Sequence, residues 1–229
     1  LKSGDVRTES YVVEVSDGHG GTDQQTITVT IHGADDGAVV TPSKPGDDLG
    51  SVTEDGVLTA GGKLDVKDPD AGQAEFNQIT DQAGDHGKFS IDANGNWTYS
   101  LTNTDPKVQA LAVGETLTET FTVTTIDGTQ AEIVVTIHGT NDEPKLSGEL
   151  SGTVTEDGIK TANGQLTVAD VDASDSHSYA VIGSATGTYG SFAVDAHGQW
   201  TYTLDNDAAQ ALKSGDVRTE SYVVEVSDG

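Results

Sequence analysis

Cysteine and methionine are both absent from the 229 residues. No disulfide can therefore brace a small core, and a thiolate zinc site or a dithiol redox function is excluded. Aromatic residues are few (two Trp, six Tyr, four Phe) and apolar residues make up 34 %, so each core is expected to be thin and built on Val, Ile, Leu, Tyr and Trp. Positive charge is scarce too: 11 Lys and Arg stand against 38 Asp and Glu, a formal charge of −27. That balance repels phosphate-rich partners, which argues against nucleic acid and anionic membrane surfaces, and it favours cations. No apolar run approaches the roughly 20 residues of a spanning helix, so direct membrane insertion is not expected. The first residues continue a repeat, and any targeting signal is expected outside this stretch.

What the chain does have is glycine and repetition. Its 28 glycines cluster with Asp and Asn, as in tight turns between short strands. Leu1–Gly18 (LKSGDVRTESYVVEVSDG) returns letter for letter as Leu212–Gly229, a period of 211 residues. Shared fold physics does not produce such identity; it marks one period of a tandem array. A weaker copy lies inside the period. SVTEDG at Ser51–Gly56 returns as TVTEDG at Thr153–Gly158, and DPD at Asp68–Asp70 as DVD at Asp170–Asp172. DANGNWTYSL at Asp92–Leu101 returns as DAHGQWTYTL at Asp195–Leu204. The unit is thus about 100 residues, the size of an immunoglobulin-like sandwich.

Residues 1–33 read as the last strands of a preceding unit, a hairpin of Val6–Val15 and Gln24–His32 around the turn SDGHGGT. Residues 34–50 read as an acidic linker. A complete domain at 51–139 follows, with strands expected near Ser51–Thr53, Val57–Val66, Ala74–Thr80, Lys88–Asp92, Asn96–Leu101, Leu117–Ile126 and Ala131–His138. Alternation in WTYSL puts Trp97, Tyr99 and Leu101 on one face, as a core needs. Asp105–Leu111 is expected to form one helical turn. A short joint at 140–145 leads to a second domain at 146–229, which has no counterpart of Ala131–His138. Seven short strands in the complete domain predict an all-β, Greek-key sandwich repeated in a linear array. A neighbouring copy's Gln24–His32 is expected to complete the second domain by strand addition; otherwise that edge frays.

Acid spread evenly would only keep a secreted protein soluble. Here it falls at matching turns. Loops of an antiparallel sandwich alternate between two poles, so Glu54, Asp55 and Asp105 are expected at the pole next to the joint residues Asn141 and Asp142. Asp170, Asp172 and Asp228 of the next domain should face the same joint. Seven or eight oxygens so gathered would repel one another without a cation. Calcium suits them, taking about 6–8 oxygen ligands in flexible geometry, whereas magnesium demands a tight octahedron. Zinc would want His or Cys, and His32 and His138 stand alone at strand ends. GHGGTD at Gly18–Asp23 resembles a β-roll calcium nonapeptide, but stacked copies are needed and it occurs once, so a hairpin turn is expected.

The order of these motifs (TEDG, DxD before a Tyr-containing strand, DxxGxWTYxL, YxVxVSDG, TVTIxGxND) resembles the VCBS-type bacterial cadherin-like repeat of type I-secreted, RTX-type biofilm adhesins. The resemblance covers nearly the whole chain. It implies Glu54 and Glu156 at the base position, Asp68, Asp70, Asp170 and Asp172 at the DxD, Asp127 and Asp228 at the late DG, and Asn141-Asp142 in the linker. By the same resemblance Asp35, Asp36, Asp68, Asp70 and Asp127 are implied as the calcium set one unit earlier. Departures are LTNTD at Leu101–Asp105 and LDND at Leu204–Asp207 where cadherins carry LDRE, and Asp35-Asp36 in place of Asn-Asp, so that the first joint is expected to bind fewer ions or to bend more. The function expected is a calcium-rigidified extender at the bacterial cell surface, with neighbouring repeats as partners. A calcium-dependent module for acidic surface polysaccharide is the second reading, with Tyr179, Tyr189 and Trp200 as its contact aromatics. No nucleophile–base pair or phosphate loop stands out, so an enzyme is not expected.

Overall fold

The computed structural model describes all residues from Leu1 to Gly229, in two compact units. One comprises Leu1–Asp105 with Thr116–His138, the other Pro106–Glu115 with Gly139–Gly229.

In the first unit the N-terminal residues form the expected hairpin, β1 (Val6–Ser16) and β2 (Thr22–His32), paired from Val6↔His32 to Ser16↔Thr22. Every residue of it is exposed, including Ile27, Val29 and Ile31. The sandwich follows. Its larger sheet runs β3 (Val39–Pro42), β5 (Thr59–Lys67), β8 (Asn96–Leu101), β7 (Gly87–Ile91), β6 (Ile79–Ala83). Its smaller sheet runs β4 (Leu49–Thr53), β10 (Gln130–His138), β9 (Thr116–Thr124). Alternation drives the inner faces: Ile133, Val135 and Ile137 of β10 and Trp97, Tyr99 and Leu101 of β8 are all buried. Phe89 of β7 stacks on Phe121 of β9 with centroids 4.5 Å apart, which joins the two sheets through the core.

Two expectations are corrected here. Residues 34–50 are not simply a linker: Val39–Pro42 adds an edge strand, with Val40 opposite Val66, and residues from Leu49 already belong to β4. Pro42 is tolerated because an edge strand leaves its missing N–H without consequence. The strand expected at Ala74–Thr80 lies later, at Ile79–Ala83. Phe76 turns into the core and bridges Thr125, and Asn77 Nδ2 donates to the Thr125 carbonyl at 2.8 Å, so this stretch is spent on the other sheet.

The second unit repeats the plan with one place unfilled. β11 (Lys145–Gly148), β12 (Thr161–Ala169), β15 (Gln199–Leu204) and β14 (Gly190–Val194) form one sheet, in that order. β13 (Ser178–Ile182) pairs only with β16 (Val223–Ser227). Trp200 and Leu166 are buried, and Phe192 stacks on Tyr222 at 4.9 Å. In the first unit β4 exists through its parallel pairing with β10, from Leu49↔Val134 to Thr53↔His138. The homologous TVTED of the second unit forms no strand. Sequence alone is therefore insufficient for this strand; it needs its neighbour's N–H and C=O groups. α1 (Pro106–Gln109) is the helical turn expected within Asp105–Leu111, and α2 (Asn206–Ala209) is its counterpart in the second repeat.

Each unit ties a carboxylate to a core tyrosine, buried in the first unit and half-buried in the second. Glu119 is 6 % exposed, accepts a hydrogen bond from the Tyr99 hydroxyl on Oε2 and one from the His86 N–H on Oε1 at 3.0 Å. Glu220 likewise accepts from Tyr202 at 2.7 Å and from the Tyr189 N–H at 3.0 Å. Burial, then the neighbouring Glu119, raises the Tyr99 pKa from its ordinary 10.0. A raised folded-state value means the stability Tyr99 contributes is whole below pH 10 and declines as pH rises past it. Tyr99→Phe is expected to cost about 1–3 kcal/mol, since it takes the hydroxyl donor from Oε2 of the buried carboxylate and leaves only the His86 N–H on Oε1, and to flatten the alkaline limb of a pH–denaturation series.

Candidate metal centre

The second unit contains the joint and the loop that follows β12. Pro106–Glu115 belongs to this unit as well: the Gly139 N–H donates to the Glu115 carbonyl at 3.0 Å, and the Ala173 N–H reaches the Ala110 carbonyl at 3.4 Å. Gly139 opens the joint because a Cβ there would lie 2.1 Å from the Leu111 carbonyl oxygen. With the backbone so placed, the acids converge. The Asp142 N–H donates to Asp172 Oδ2 at 2.8 Å, the Asp172 N–H to Asp170 Oδ1 at 3.0 Å, and Asn141 Nδ2 to Asp228 Oδ2 at 3.0 Å. His177 Nε2 contacts Asp170 Oδ2 at 2.8 Å.

Asp170, Asp175 and Asp228 each present an oxygen, and these lie within 4.8 Å of one another. Oxygens that close can share one ion at about 2.3–2.6 Å. Asp172 is 2 % exposed, and its Oδ1 is buried with no hydrogen-bond partner. A buried carboxylate oxygen left so is costly unless something positive meets it. Burial, then the charges of Asp172, Asp170 and Asp228, raises the Asp175 pKa, while the contact with His177 lowers that of Asp170. Carboxylates that crowd Asp175 beside an unpartnered buried oxygen fit a hard divalent cation, and the all-oxygen set fits calcium better than zinc.

The first unit carries the homologous cluster. The Asp36 N–H donates to Asp70 Oδ2 at 2.9 Å and the Asp70 N–H to Asp68 Oδ1 at 2.7 Å, repeating the Asp142–Asp172–Asp170 pattern. The Ala38 N–H donates to Asp127 Oδ2 at 2.7 Å, so residues 35–38 bring Asp127 to the DxD loop. Asp68 Oδ2 is buried without a hydrogen-bond partner, and the α-amino group of Leu1 lies 3.2 Å from Asp70 Oδ1. Hydrogen bonds lower two of these pKa values, chiefly from the Asp36 N–H for Asp70 and from the Thr125 hydroxyl for Asp127. Gln73 stands where the second unit has Asp175, and its Nε2 donates to Asp35 Oδ1 at 2.9 Å.

The other predicted residues lie at the opposite end of the first unit. Glu54 is fully buried, and its N–H donates to the His138 carbonyl at 3.1 Å. The Asp55 N–H donates to Asn103 Oδ1 at 2.9 Å, which sets the first-turn acids beside the Thr102–Asp105 turn. Asp105 Oδ2 meets His86 Nδ1 at 2.7 Å. In the second repeat Glu156 Oε2 is buried without a partner, and Asp157 bonds Asn206 as Asp55 bonds Asn103.

The profile of the bacterial cadherin-like domain matches residues 40–139 and again 141–229. The chain belongs to the bacterial cadherin-like domain family. Its two matched segments meet at the joint described above. This cadherin-like chain is 31 % identical over 134 residues to the calcium-binding lectin RapA2 of Rhizobium johnstonii, a match covering 52 % of each protein. The chain therefore spans about half the length of that relative. Among solved structures, an extracellular domain of protocadherin GammaB4 is similar at 16 % identity and TM-score 0.48, over 86 % of this chain and 31 % of that one. Mouse cadherin-23 EC22-24 is similar at 18 % and 0.45, over 85 % and 63 %. The family match and the observed sheets establish the all-β, cadherin-like sandwich fold.

Sequence reasoning missed Asp175, His177, Gln73, the buried Glu119 and the half-buried Glu220. Asp175 had a signal, as the third acid of DVDASD. The others had none, because their roles depend on which loop lies opposite.

Proposed function

We propose that this chain is a calcium-stiffened spacer from an extracellular bacterial surface adhesin. The single observation that carries the reading is the second-unit cluster, where three carboxylate oxygens lie within 4.8 Å of one another beside the buried, unpartnered Asp172 Oδ1. Calcium would be held by Asn141, Asp142, Asp170, Asp172 and Asp228, with Glu54, Asp55 and Asp105 of the preceding repeat as the remaining ligands. Asp35, Asp36, Asp68, Asp70 and Asp127 would hold it one unit earlier. The ion supplies positive charge that cancels the repulsion; the chain supplies backbone N–H groups that aim the carboxylates. Near-identical repeats suit a spacer, in which length matters more than surface chemistry. A type I-secreted, RTX-type biofilm adhesin of VCBS repeats is the finer form of the proposal, with no catalytic role.

The test is chelation. EGTA is expected to lower the melting temperature, because a ligand held only by the folded joint stabilises it by about 2.7 kcal/mol at a hundred times its Kd. Small-angle scattering in calcium should give a larger maximum dimension than in EGTA. Identical curves in the two buffers would refute the spacer.

A second reading, calcium-dependent polysaccharide binding, is favoured by the lectin similarity. Its aromatic contacts need revision. Trp200 is 6 % exposed and its Nε1–H donates to the Glu149 carbonyl at 2.7 Å, while Tyr179 and Tyr189 are half-buried. Sugar stacking on Trp200 is therefore dropped, and any such binding would run through the ion.

A further inference from the structure

The two acidic clusters are homologous but not equivalent. In the second unit the position after the DxD loop is Asp175, whose carboxylate joins Asp170 and Asp228 within 4.8 Å. In the first unit it is Gln73, 9 % exposed, with Oε1 buried and unpartnered and Nε2 given to Asp35. Negative charge has in effect moved from the loop to the linker, since Asn141 of the second unit corresponds to Asp35 of the first. The exchange does not restore the site. Asp35 Oδ1 is occupied at 2.9 Å by the Gln73 amide, whereas the Asn141 amide donates to Asp228 and leaves the Asp175 carboxylate among its neighbours.

We propose that Asp175 is a direct calcium ligand and that its replacement by Gln73 makes the two clusters unequal, the second filling at a calcium concentration that leaves the first empty. The proposal rests on the calcium reading above. Its physical basis is that calcium affinity follows the number of charged ligands and the rigidity of their cage. A carboxylate oxygen already placed against two others contributes charge and needs no rearrangement. An amide oxygen contributes a dipole only, and here its other end is tied to a competing carboxylate. A chain with such unequal sites would stiffen in two steps, one joint before the other, as calcium rises.

Calcium chloride titrated into the full chain by calorimetry, with backbone amide NMR to tell the clusters apart, tests this. Amides of Asp142 and Ala173 should shift at lower calcium than those of Asp36 and Ala38, with affinities at least about tenfold apart. Asp175→Gln should weaken the tighter step about tenfold or more and leave the Asp36 and Ala38 titration unmoved. Asp175→Asn serves as a check on folding, since it keeps the side chain's shape and should weaken the same step. Gln73→Asp should bring the Asp36 titration to lower calcium. Two clusters that fill together in the parent, or a tighter step indifferent to Asp175→Gln, would overturn the inequality while leaving calcium binding intact. No heat and no shift at any amide would overturn the calcium reading itself, and this inference with it.

Discussion

Extending the chain past Gly229 with the sequence of His19–Gly33 is expected to raise the melting temperature of the second repeat by about 8–16 °C, on a net gain of only about 2 kcal/mol. The identity of Leu212–Gly229 with Leu1–Gly18 makes His19–Gly33 the natural continuation. Its Ile27, Val29 and Ile31 match Ile133, Val135 and Ile137 of β10, which are all 0 % exposed in the first repeat. Three such side chains bring roughly 1.5–3 kcal/mol each on burial, most of which the ordering of the new strand consumes. The graft should also turn Thr153–Thr155 into a strand, because the parallel partner that β4 has in the first repeat would then be present. Circular dichroism melting and hydrogen exchange at Val154 and Thr155 would read both effects. An unchanged melt with the added residues exchanging freely would show that the strand does not dock. Supplied by another copy, the same β2 stretch would link chains end to end, the strand addition expected from the sequence.

Asp172→Asn should have opposite effects with and without calcium. In EGTA the variant is expected to be more stable than the parent, because it removes a buried charge whose Oδ1 has no partner in a cluster where like charges already raise the Asp175 pKa. The remaining carbonyl oxygen can still accept the Asp142 N–H. In millimolar calcium the order should reverse: losing a charged ligand would remove most of the stabilisation by bound ion, about 2.7 kcal/mol at a hundredfold excess over Kd. Paired thermal melts of parent and variant in the two buffers decide it. A variant less stable in both would mean that Asp172 serves the fold and not an ion.

Much of the architecture was legible because sandwiches are written in period two. WTYSL and AEIVVTIH have one way to bury their apolar sets, and the structure buries them so. Strand ends near Val39 and Phe76 were harder to read. Val39–Pro42 is β-prone but sits among linker residues, and only the open edge of β5 makes it a strand. Phe76 has the pattern of a strand residue but is claimed by the opposite sheet.

By itself the sequence determined the repeat, the sandwich class and the acidic turns, since identity, alternation and charge are local properties of the chain. Tertiary structure decided which acids meet. It brought Asp175 and His177 to the DxD loop, gave Gln73 to Asp35, and left the second TVTED without a strand. The physical reason is common to all of these: a carboxylate, an amide or a strand edge acquires its role from the group across from it, and that group is fixed by packing rather than by spacing along the chain.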